Sequence, residues 1–598
     1  MPDIAASVAT TAEMSVGDVF YDYLEQTGDR DWIAIDLADG QTVDINLHGL
    51  TSYDTYLRLY DSNGQLVAEN DDFGAINISQ ITYRATEGAT YYIESASYLD
   101  ADDGYYVVRV TPTSGDIPVA TPNVPSGPLA SIVGDLAMGD RVINVYFGRA
   151  GESFDGIQGE GFTSYERARF QAAFDQIEAV ADVEFRVVYN ESNADFRLVL
   201  DTNEMSYGEL GYFYSPGYSE YSGIGVFNGN YFDRYGGGNL ESGGLSSATI
   251  IHELLHGLGL MHPHDAGGGS SIMAGVSSAF DDFGQGDLNQ GVFTTMSYNP
   301  GYQFNEANFS ENYGSDFGPM ALDIAALQLI YGAVDHATDD TSYRLPGANQ
   351  TGTSWQAIWD TDGFDEILYG GSRDVTIDLR EATLRQAQGG GGYLSSVDGI
   401  AGGFTIAAGV TIEQARGGSG NDRLSGNSGE NVLAGRSGDD TLIGRGRVDR
   451  LGGGDGNDDL RGGNGADVLR GNKGGDVLTG GRGADKLIGG AGADVFVFRK
   501  VTDSTMEDNR SDTIKGFRSG LDQIDLSQLD SNADRRGDQA FNFNGWQSLN
   551  DYDDLGDVGL QRVGDDIRVL IDVDGDGQAD MQIMVVNVDR LTAQDFIL

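Results

Sequence analysis

The chain has 598 residues, too many for one hydrophobic core, and its length predicts three or four domains. Its 93 Asp and Glu residues against 36 Lys and Arg residues give a formal net charge of −57. That charge argues against nucleic acid and anionic membranes as partners, and favours cation binding or a very soluble exported protein. Cysteine is absent, so disulfides are excluded and bound Ca²⁺ is the expected stabiliser.

Neither a membrane span nor an ordinary signal peptide is expected. No run of about 18 apolar residues is present. The first residues, Met-Pro-Asp-Ile-Ala-Ala-Ser, lack a basic region followed by an apolar one. The protein is therefore expected either to stay in the cytoplasm or to leave the cell by a route that reads another signal.

Residues 1–112 predict an all-β sandwich. Apolar and polar positions alternate in residues 32–37, 56–60 and 105–110, between Asp-Gly and Asn-Gly turns. Residues 28–32, 54–61, 70–72 and 104–106 are similar to the bacterial pre-peptidase C-terminal domain, an accessory module of secreted peptidases. The acidic turn at Asp71 and Asp72 either holds Ca²⁺ or is simply solvated. Residues 113–128 are rich in proline and predict an extended linker.

Residues 129–335 predict an α+β domain. Ser164 is expected to cap a helix whose apolar stripe includes Phe170, Phe174 and Ile177. Strands are expected over residues 184–189 and 195–200, and an apolar helix over residues 319–332.

The chemistry of this domain is concentrated in residues 249–263, which contain His252, Glu253, His256 and His262. Four residues turn a helix through about 400°, so His252 and His256 project from the same face. Gly259 can end the helix and return the chain so that His262 reaches the same point. Three neutral imidazoles suit Zn²⁺ and leave a fourth position open, as in catalytic sites. Glu253 is the candidate general base for a water on the metal.

This pattern resembles the metzincin signature, and the segment Met296-Ser-Tyr298 resembles the Met-turn of the serralysin family of secreted bacterial proteases. The resemblance implies that the three histidines bind zinc and that Glu253 is catalytic. It also implies that Met296 lies under the zinc and that Tyr298 is a switchable ligand that stabilises the tetrahedral intermediate. Residues 223–228 would be the edge strand that pairs with substrate. His264 replaces the usual glycine, and no metal role is expected for it.

Residues 336–416 predict the β-rich start of the C-terminal domain, and a nine-residue unit then occurs nine times over residues 417–497. A flexible linker would not keep an apolar residue at every ninth position, from Leu424 to Phe496. The unit resembles the calcium-binding repeats-in-toxin nonapeptide, which forms a parallel β-roll. The implied calcium ligands are Asp422, Asp440, Asp458, Asp476 and Asp494 on one side of the roll, and Asp449, Asp467 and Asp485 on the other.

The two sides of this roll are expected to bind calcium unequally. Copies alternate sides when each turn has two strands, so one side is a continuous aspartate column. The other begins with Asn431 and has Arg447 where the loop needs glycine. We expect ions to be missing near these two residues and to reappear between Asp467 and Asp485.

Residues 498–598 predict a β-rich secretion domain that resembles the serralysin C-terminal region at residues 511–517 and 522–527. Asp572, Asp574, Asp576 and Asp580 have the spacing of a calcium loop, although Ile583 stands where an EF-hand has glutamate. A hairpin turn explains this segment equally well. Residues 595–598 resemble the tail of proteins exported by type I machinery.

The sequence therefore predicts a multidomain protein: an N-terminal all-β sandwich, an α+β metzincin domain and a C-terminal parallel β-roll with a β-rich secretion region. Its expected function is that of a secreted, monomeric, calcium-stabilised zinc endopeptidase that hydrolyses peptide bonds in proteins or peptides. The serralysin resemblance covers residues 129–598. The N-terminal sandwich departs from typical serralysins, so the sequence does not show which segment replaces the family's propeptide. The alternative is a calcium-loaded surface or adhesive protein with an inactive metalloprotease scaffold.

Overall fold

The computed structural model describes residues 4, 7–24, 29–37, 42–49, 55–70, 78–85, 88–97, 104–112, 121, 124, 126–139, 141–154, 156–203, 205–206, 208–216, 221–304, 310–529, 540–547, 549 and 556–598. Over these ranges the protein is mostly β, with three α-helices. None of the helices in the described ranges is long and apolar enough to cross a membrane.

The N-terminal strands form two antiparallel sheets that enclose one core. They are β1 (Glu13–Met14), β2 (Val19–Leu24), β3 (Arg30–Leu37), β4 (Thr42–Gly49), β5 (Thr55–Tyr60), β6 (Leu66–Asn70), β7 (Ile78–Arg84), β8 (Ala89–Ser97) and β9 (Gly104–Pro112). The sheet orders are β1-β3-β8-β5-β6, with β1 parallel to β3, and β2-β9-β4-β7. Ile33, Ile45 and Val108 are fully buried between the sheets, because alternate side chains of each strand face inward. Asp71 and Asp72 lie outside the described residues, as does most of the predicted linker.

The central region, residues 128–331, combines one mixed sheet with the three α-helices. Its strands are β10 (Val142–Phe147), β11 (Ser153–Phe154), β12 (Ile157–Gln158), β13 (Glu184–Val187), β14 (Phe196–Asp201), β15 (Gly211–Phe213) and β16 (Ile224–Asn228). Its helices are α1 (Ser164–Glu178), α2 (Leu245–Gly257) and α3 (Ala321–Tyr331). The main sheet has the order β13-β10-β14-β16-β15, and β15 is its antiparallel edge.

Two local predictions in this region are wrong. Ser164 does not cap α1, because the helix begins at Ser164 and Thr163 accepts the capping bond from the Glu166 amide. Residues 223–228 do not form the sheet edge, because the three-residue strand β15 pairs with β16 on its outer side. A strand this short carries too little alternation to be visible in the sequence.

The C-terminal half consists of two long sheets. Its strands are β17 (Ser342–Arg344), β18 (Trp355–Ile358), β19 (Glu366–Leu368), β20 (Val375–Asp378), β21 (Ser395–Val397), β22 (Gly403–Ile406), β23 (Gln414–Arg416), β24 (Arg423–Ser425), β25 (Val432–Ser437), β26 (Thr441–Gly446), β27 (Arg450–Asp455), β28 (Asp459–Asn464), β29 (Val468–Lys473), β30 (Val477–Arg482), β31 (Lys486–Ala491), β32 (Val495–Val497), β33 (Asp512–Lys515), β34 (Gln523–Asp525), β35 (Asn542–Gly545), β36 (Asp557–Val563), β37 (Asp566–Asp572), β38 (Met581–Val586) and β39 (Phe596–Ile597). Short 3₁₀ segments occur at Pro128–Ser131, Glu191–Asn193, Gly267–Gly269, Gln285–Asp287, Val501–Asp503, Asp508–Arg510 and Ala593–Asp595.

Consecutive nonapeptide copies contribute strands to alternate sheets. One sheet has the order β17-β19-β23-β25-β27-β29-β31-β33-β38-β37-β36-β35, and the other β18-β22-β21-β20-β24-β26-β28-β30-β32-β34-β39. Neighbouring repeat strands are parallel and in register at intervals of eighteen residues, as in Leu433↔Leu451. The apolar residue of each copy, leucine in the first eight and Phe496 in the ninth, is at most 2% exposed, so these side chains form the core between the two sheets.

The N-terminal sandwich packs directly on the central region. Val19, Tyr21 and Val107 belong to the same buried apolar cluster as α3 and the central sheet. Arg109 is also buried and donates a hydrogen bond of 2.7 Å to the Leu329 carbonyl near the end of α3. This contact joins two parts of the chain that the sequence predicts as separate domains.

Candidate metal centre

The three predicted histidine ligands converge on one point. His252 and His256 lie one turn apart on α2, and Gly259, at a φ of 101°, returns the chain so that His262 faces them. The Nε2 atom of His262 lies 3.1 Å from that of His252 and 2.8 Å from that of His256. Three ring nitrogens this close form a group that could hold a metal ion.

Hydrogen bonds on the far side of each ring fix the tautomer. The Nδ1 groups of His252 and His256 donate to the carbonyls of Thr295 and Leu260, each at 2.7 Å, and that of His262 donates to Asp265 Oδ2 at 3.1 Å. Each Nε2 therefore presents a lone pair to the centre. Burial lowers the pKa of His252 and His256 to about 3 and that of His262 to about 4, which keeps the rings neutral. Neutral nitrogen donors fit Zn²⁺.

Glu253 is buried next to this centre, and its Oε2 atom has no hydrogen-bond partner among the described residues. Burial, with a smaller contribution from the charge of Glu209, raises the pKa of Glu253 to about 8. A cleft of about 340 Å³ opens over the carboxyl and the histidines, and the edge strand β15 forms its wall. The carboxyl can therefore exchange a proton with a molecule in the cleft near neutral pH.

Tyr298 closes one side of the cleft. Its ring centroid lies 4.7 Å from that of His262 and 4.5 Å from that of His264. Burial and then the charge of Glu253 raise the pKa of Tyr298 to about 12, so the phenol keeps its proton and can donate a hydrogen bond. Met296 is fully buried two residues earlier in the chain.

Sequence reasoning missed the carboxylates that support these groups. Asp323 accepts hydrogen bonds of 2.6 Å from the Thr294 hydroxyl and the Thr295 amide, and so ties the turn before Met296 to α3. The sequence signal that could have revealed this role is Asp323 itself, a charged residue within the apolar run of residues 319–332. Asp265, beside the predicted His262, gave no comparable signal. His264 lies with its Nε2 atom 3.7 Å from Asp265, and its Nδ1 atom is buried without a described partner.

The predicted calcium residues form two columns along the edges of the repeat segment. On one side, the amides of Asp422, Asp440, Asp458 and Asp476 each donate to the Oδ1 atom of the aspartate eighteen positions later. On the other side, the amides of Asn431, Asp449 and Asp467 do the same. The columns continue beyond the repeats, because Asp485 donates to Asp512 and Asp494 donates to Asp522.

Most of these carboxyls have one oxygen that nothing in the described structure satisfies. The buried Oδ2 atoms that accept no hydrogen bond are those of Asp440, Asp449, Asp458, Asp467, Asp476, Asp485, Asp494 and Asp512. That of Asp494 lies 3.5 Å from the Arg518 guanidinium. Burial raises the pKa of Asp458, Asp467 and Asp476 to about 6 and that of Asp440, Asp449 and Asp485 to about 7. Rows of unsatisfied carboxylate oxygens are the ligands that Ca²⁺ prefers.

The start of the second column is different. The Oδ1 atom of Asn431 accepts from the Asn427 amide at 2.8 Å, and its Nδ2 group donates to the Asn427 side chain at 3.1 Å. Arg447 occupies its loop position at a φ of 63°, a conformation that favours glycine. The polar groups at Asn431 are thus satisfied by protein.

Two further acidic groups lie outside the columns. Oxygens of Asp572, Asp574 and Asp580 come within 4.8 Å of one another in the turn between β37 and β38, whereas Asp576 is not part of this group. The other group, which sequence reasoning missed, borders a cavity of about 670 Å³ lined by residues 338–340 and 362–364. Buried Asp360, three residues before Gly363, has an Oδ1 atom without a described partner.

A three-histidine centre beside a mixed sheet, joined to repeat-built parallel sheets, defines a modular, mostly β protein with a candidate metal site. Residues 328–598 match the model of the Peptidase M10 serralysin C-terminal family, and residues 29–97 match that of the bacterial pre-peptidase C-terminal domain. These matches confirm the resemblance of the C-terminal region to serralysins and that of residues 29–97 to the pre-peptidase C-terminal domain.

Curated relatives agree with this assignment. The chain is 32% identical to serralysin C of Dickeya chrysanthemi over 286 residues, 44% of this chain and 54% of that protein. It is 34% identical to serralysin of Proteus mirabilis over 195 residues, 30% of this chain and 35% of that one. The chain thus spans about half or less of the relatives it matches. A crystal structure of the pre-peptidase C-terminal domain of a Bacillus anthracis collagenase aligns at 17% identity, covering 17% of this chain and 92% of that one, with a TM-score of 0.15.

Proposed function

We propose that the protein is a secreted zinc endopeptidase of the metzincin type, with the domain boundaries predicted from the sequence. The observation that carries this proposal is the convergence of three neutral Nε2 atoms beside a buried carboxyl in a cleft. His252, His256 and His262 would hold the ion. Bound zinc supplies a Lewis acid that activates water and polarises a carbonyl.

The residues of the chain account for the remaining steps. An extended peptide can pair with the outer edge of β15, which brings its backbone past Glu253 and the histidines. Glu253 accepts a proton from the attacking water and passes it to the leaving amine, for which a pKa near neutrality is suitable. Tyr298 donates a hydrogen bond to the oxyanion as it develops, and so favours the transition state over the bound substrate.

We propose that the aspartate columns hold structural Ca²⁺ and turn the repeat segment into a calcium β-roll. The unsatisfied Oδ2 atoms support this assignment, and Asp512 and Asp522 extend it. Asp572, Asp574 and Asp580 would form a smaller site. Export by type I machinery, an extracellular location and a monomeric state are part of the same proposal. The adhesive alternative is not favoured, because Glu253 and Tyr298 both remain at the histidine centre.

The test is cleavage of casein with and without a zinc chelator, combined with metal analysis. Glu253→Ala should keep about one zinc per chain and lose turnover by roughly three orders of magnitude or more, because the carboxyl moves protons and does not bind the ion. Glu209→Ala removes an exposed carboxylate near the same cleft and should retain most activity. Loss of zinc from Glu253→Ala would make Glu253 a ligand, and undiminished cleavage would remove it from the mechanism.

A further inference from the structure

The outer face of the sheet that begins with β17 carries an unexpected line of cations. The strand register aligns two outward rows across β23, β25, β27, β29, β31 and β33. The first row is Gln414, Val432, Arg450, Val468, Lys486 and Thr513, and the second is Arg416, Ala434, Gly452, Arg470, Ile488 and Lys515. None of these twelve residues is acidic, although the whole chain has a net charge of −57.

These two rows face solvent, because the residue between them on each strand is buried. Leu451, Leu469 and Leu487 occupy that middle row. Arg450, Arg470 and Lys515 are exposed, and Lys486 is half-buried. We refer to these four residues as the basic stripe. Arg416 is not included, because it pairs with Glu366 at 3.0 Å.

The basic stripe has a regular geometry. Its members lie on four consecutive strands of the sheet, one in these two rows on each, and alternate between rows two residues apart. A further cation of β29, Lys473, lies outside the two rows and pairs with Asp455 at 2.8 Å. Adjacent strands are about 4.8 Å apart, so a positive charge occurs at each such step along the sheet. No carboxylate oxygen in the described part of the chain lies within salt-bridge distance of any of the four. The opposite sheet differs, since its Arg461 pairs with Asp459 at 2.5 Å.

We propose that the basic stripe binds a linear acidic polysaccharide whose sugars carry carboxylates. Arginine binds carboxylate with two parallel hydrogen bonds, and an extended chain with one negative charge per sugar can follow a line of single cations. Val432, Val468, Ala434 and Gly452 are small, so the face lies open to such a chain.

The composition of the face favours this ligand over single-stranded nucleic acid. The strands of this face, such as β29, are six residues long, about 20 Å, and the aspartate columns lie at both of their ends. Single-stranded nucleic acid usually stacks its bases on aromatic side chains, and none of the twelve residues is aromatic.

The test is titration of the full, calcium-loaded protein with short polygalacturonate oligomers at low ionic strength, followed by calorimetry. Arg450→Gln combined with Arg470→Gln should weaken binding about tenfold. Adding Lys486→Gln and Lys515→Gln should abolish it. Arg423→Gln with Arg461→Gln changes the net charge equally on the opposite sheet and should leave affinity within about twofold. Circular dichroism checks that every variant is folded.

Several outcomes would overturn the proposal. Binding of neutral amylose oligomers as tight as that of polygalacturonate would exclude charge recognition, and unchanged affinity in the fourfold variant would place the site elsewhere. Equal or tighter binding of single-stranded DNA, duplex DNA or phosphatidylserine vesicles, lost in the same variants, would replace the polysaccharide with that partner. Casein cleavage is independent of this surface and should be unchanged in the stripe variants.

Discussion

Three hydrogen bonds on the outer side of the histidine rings decide which nitrogen faces the proposed zinc. Two of the acceptors are the backbone carbonyls of Thr295 and Leu260, which no side-chain substitution removes. The third is the carboxylate of Asp265, which belongs to the loop after His262. The orientation of His262 therefore depends on a side chain that can be changed without touching a ligand.

Asp265→Asn should weaken zinc binding by about 10- to 100-fold, because the His262 ring loses a charged acceptor and some of its basicity. The expected result is a zinc dissociation constant that rises by this factor in competition with a fluorescent chelator, while kcat at saturating zinc changes much less. Asp135→Asn, a substitution in a separate loop near Gly269, is the control. An unchanged zinc affinity would mean that Asp265 does not orient His262.

At the scale of the strand and turn, buried aspartates control whether the repeat segment folds. Their amides and Oδ1 atoms satisfy one another along each column, and the Oδ2 atoms have no described partner. An ionised carboxylate in that position is costly unless a cation or a proton neutralises it. Bound calcium and protonation at low pH should therefore each stabilise the folded repeat segment, and one should partly replace the other.

Without calcium, the stability of the repeat segment should fall as the pH rises. The folded-state pKa values of Asp440 and Asp458, about 7 and about 6, lie above the ordinary value of 3.8, so the folded state binds more protons than the unfolded state between these limits. This contribution is fully present below pH 3.8 and is lost as the pH passes through 6 to 7. Thermal melting in a calcium chelator at several pH values measures it. A melting temperature that is the same at pH 5 and pH 7.5 would contradict the expectation, and a calcium-saturated sample, which should lose this dependence above about pH 6, is the control.

The beginning of the second column can be converted into a calcium site. Asn431→Asp supplies the missing carboxylate. Arg447→Gly removes a cation and places at this positive φ a residue that adopts it without strain. The double variant should bind about one more calcium per chain than the parent, as counted by atomic emission after equilibrium dialysis. Arg482→Gly removes one arginine from the same column where the aspartates are already complete, and it should add no ion. An unchanged count in the double variant would show that another feature excludes the ion.

For the whole molecule, local patterns could be predicted and contacts between distant segments could not. The four-residue spacing of His252 and His256 and the nine-residue period of the leucines are both contained in short windows. The edge strand β15, the support of Thr295 by Asp323 and the extension of the columns to Asp512 depend on register between segments far apart in the chain. Docking of the sandwich depends on the same kind of long-range contact.

The docking face of the sandwich is the outer side of β2 and β9. The register pairs Val19 with Arg109 and Tyr21 with Val107, and these four side chains point away from the sandwich core. Tyr23 on the same side of β2 accepts a hydrogen bond of 2.9 Å from Arg385. The sequence predicts a tethered accessory module, whereas these contacts make the sandwich a packed part of the molecule.

Cutting the chain between residues 113 and 120 should therefore not release the sandwich. With an inserted cleavage site and the Glu253→Ala background, the two fragments should elute together in size-exclusion chromatography, because the buried apolar contacts remain. Val107→Lys places a second buried cation on the same strand face as Arg109 and should separate the fragments, since an unpaired buried charge costs several kcal/mol. Val67→Lys introduces the same charge at an exposed valine of the other sheet and should leave the fragments together. Separate elution of the parent fragments would show that the linker alone holds the sandwich in place.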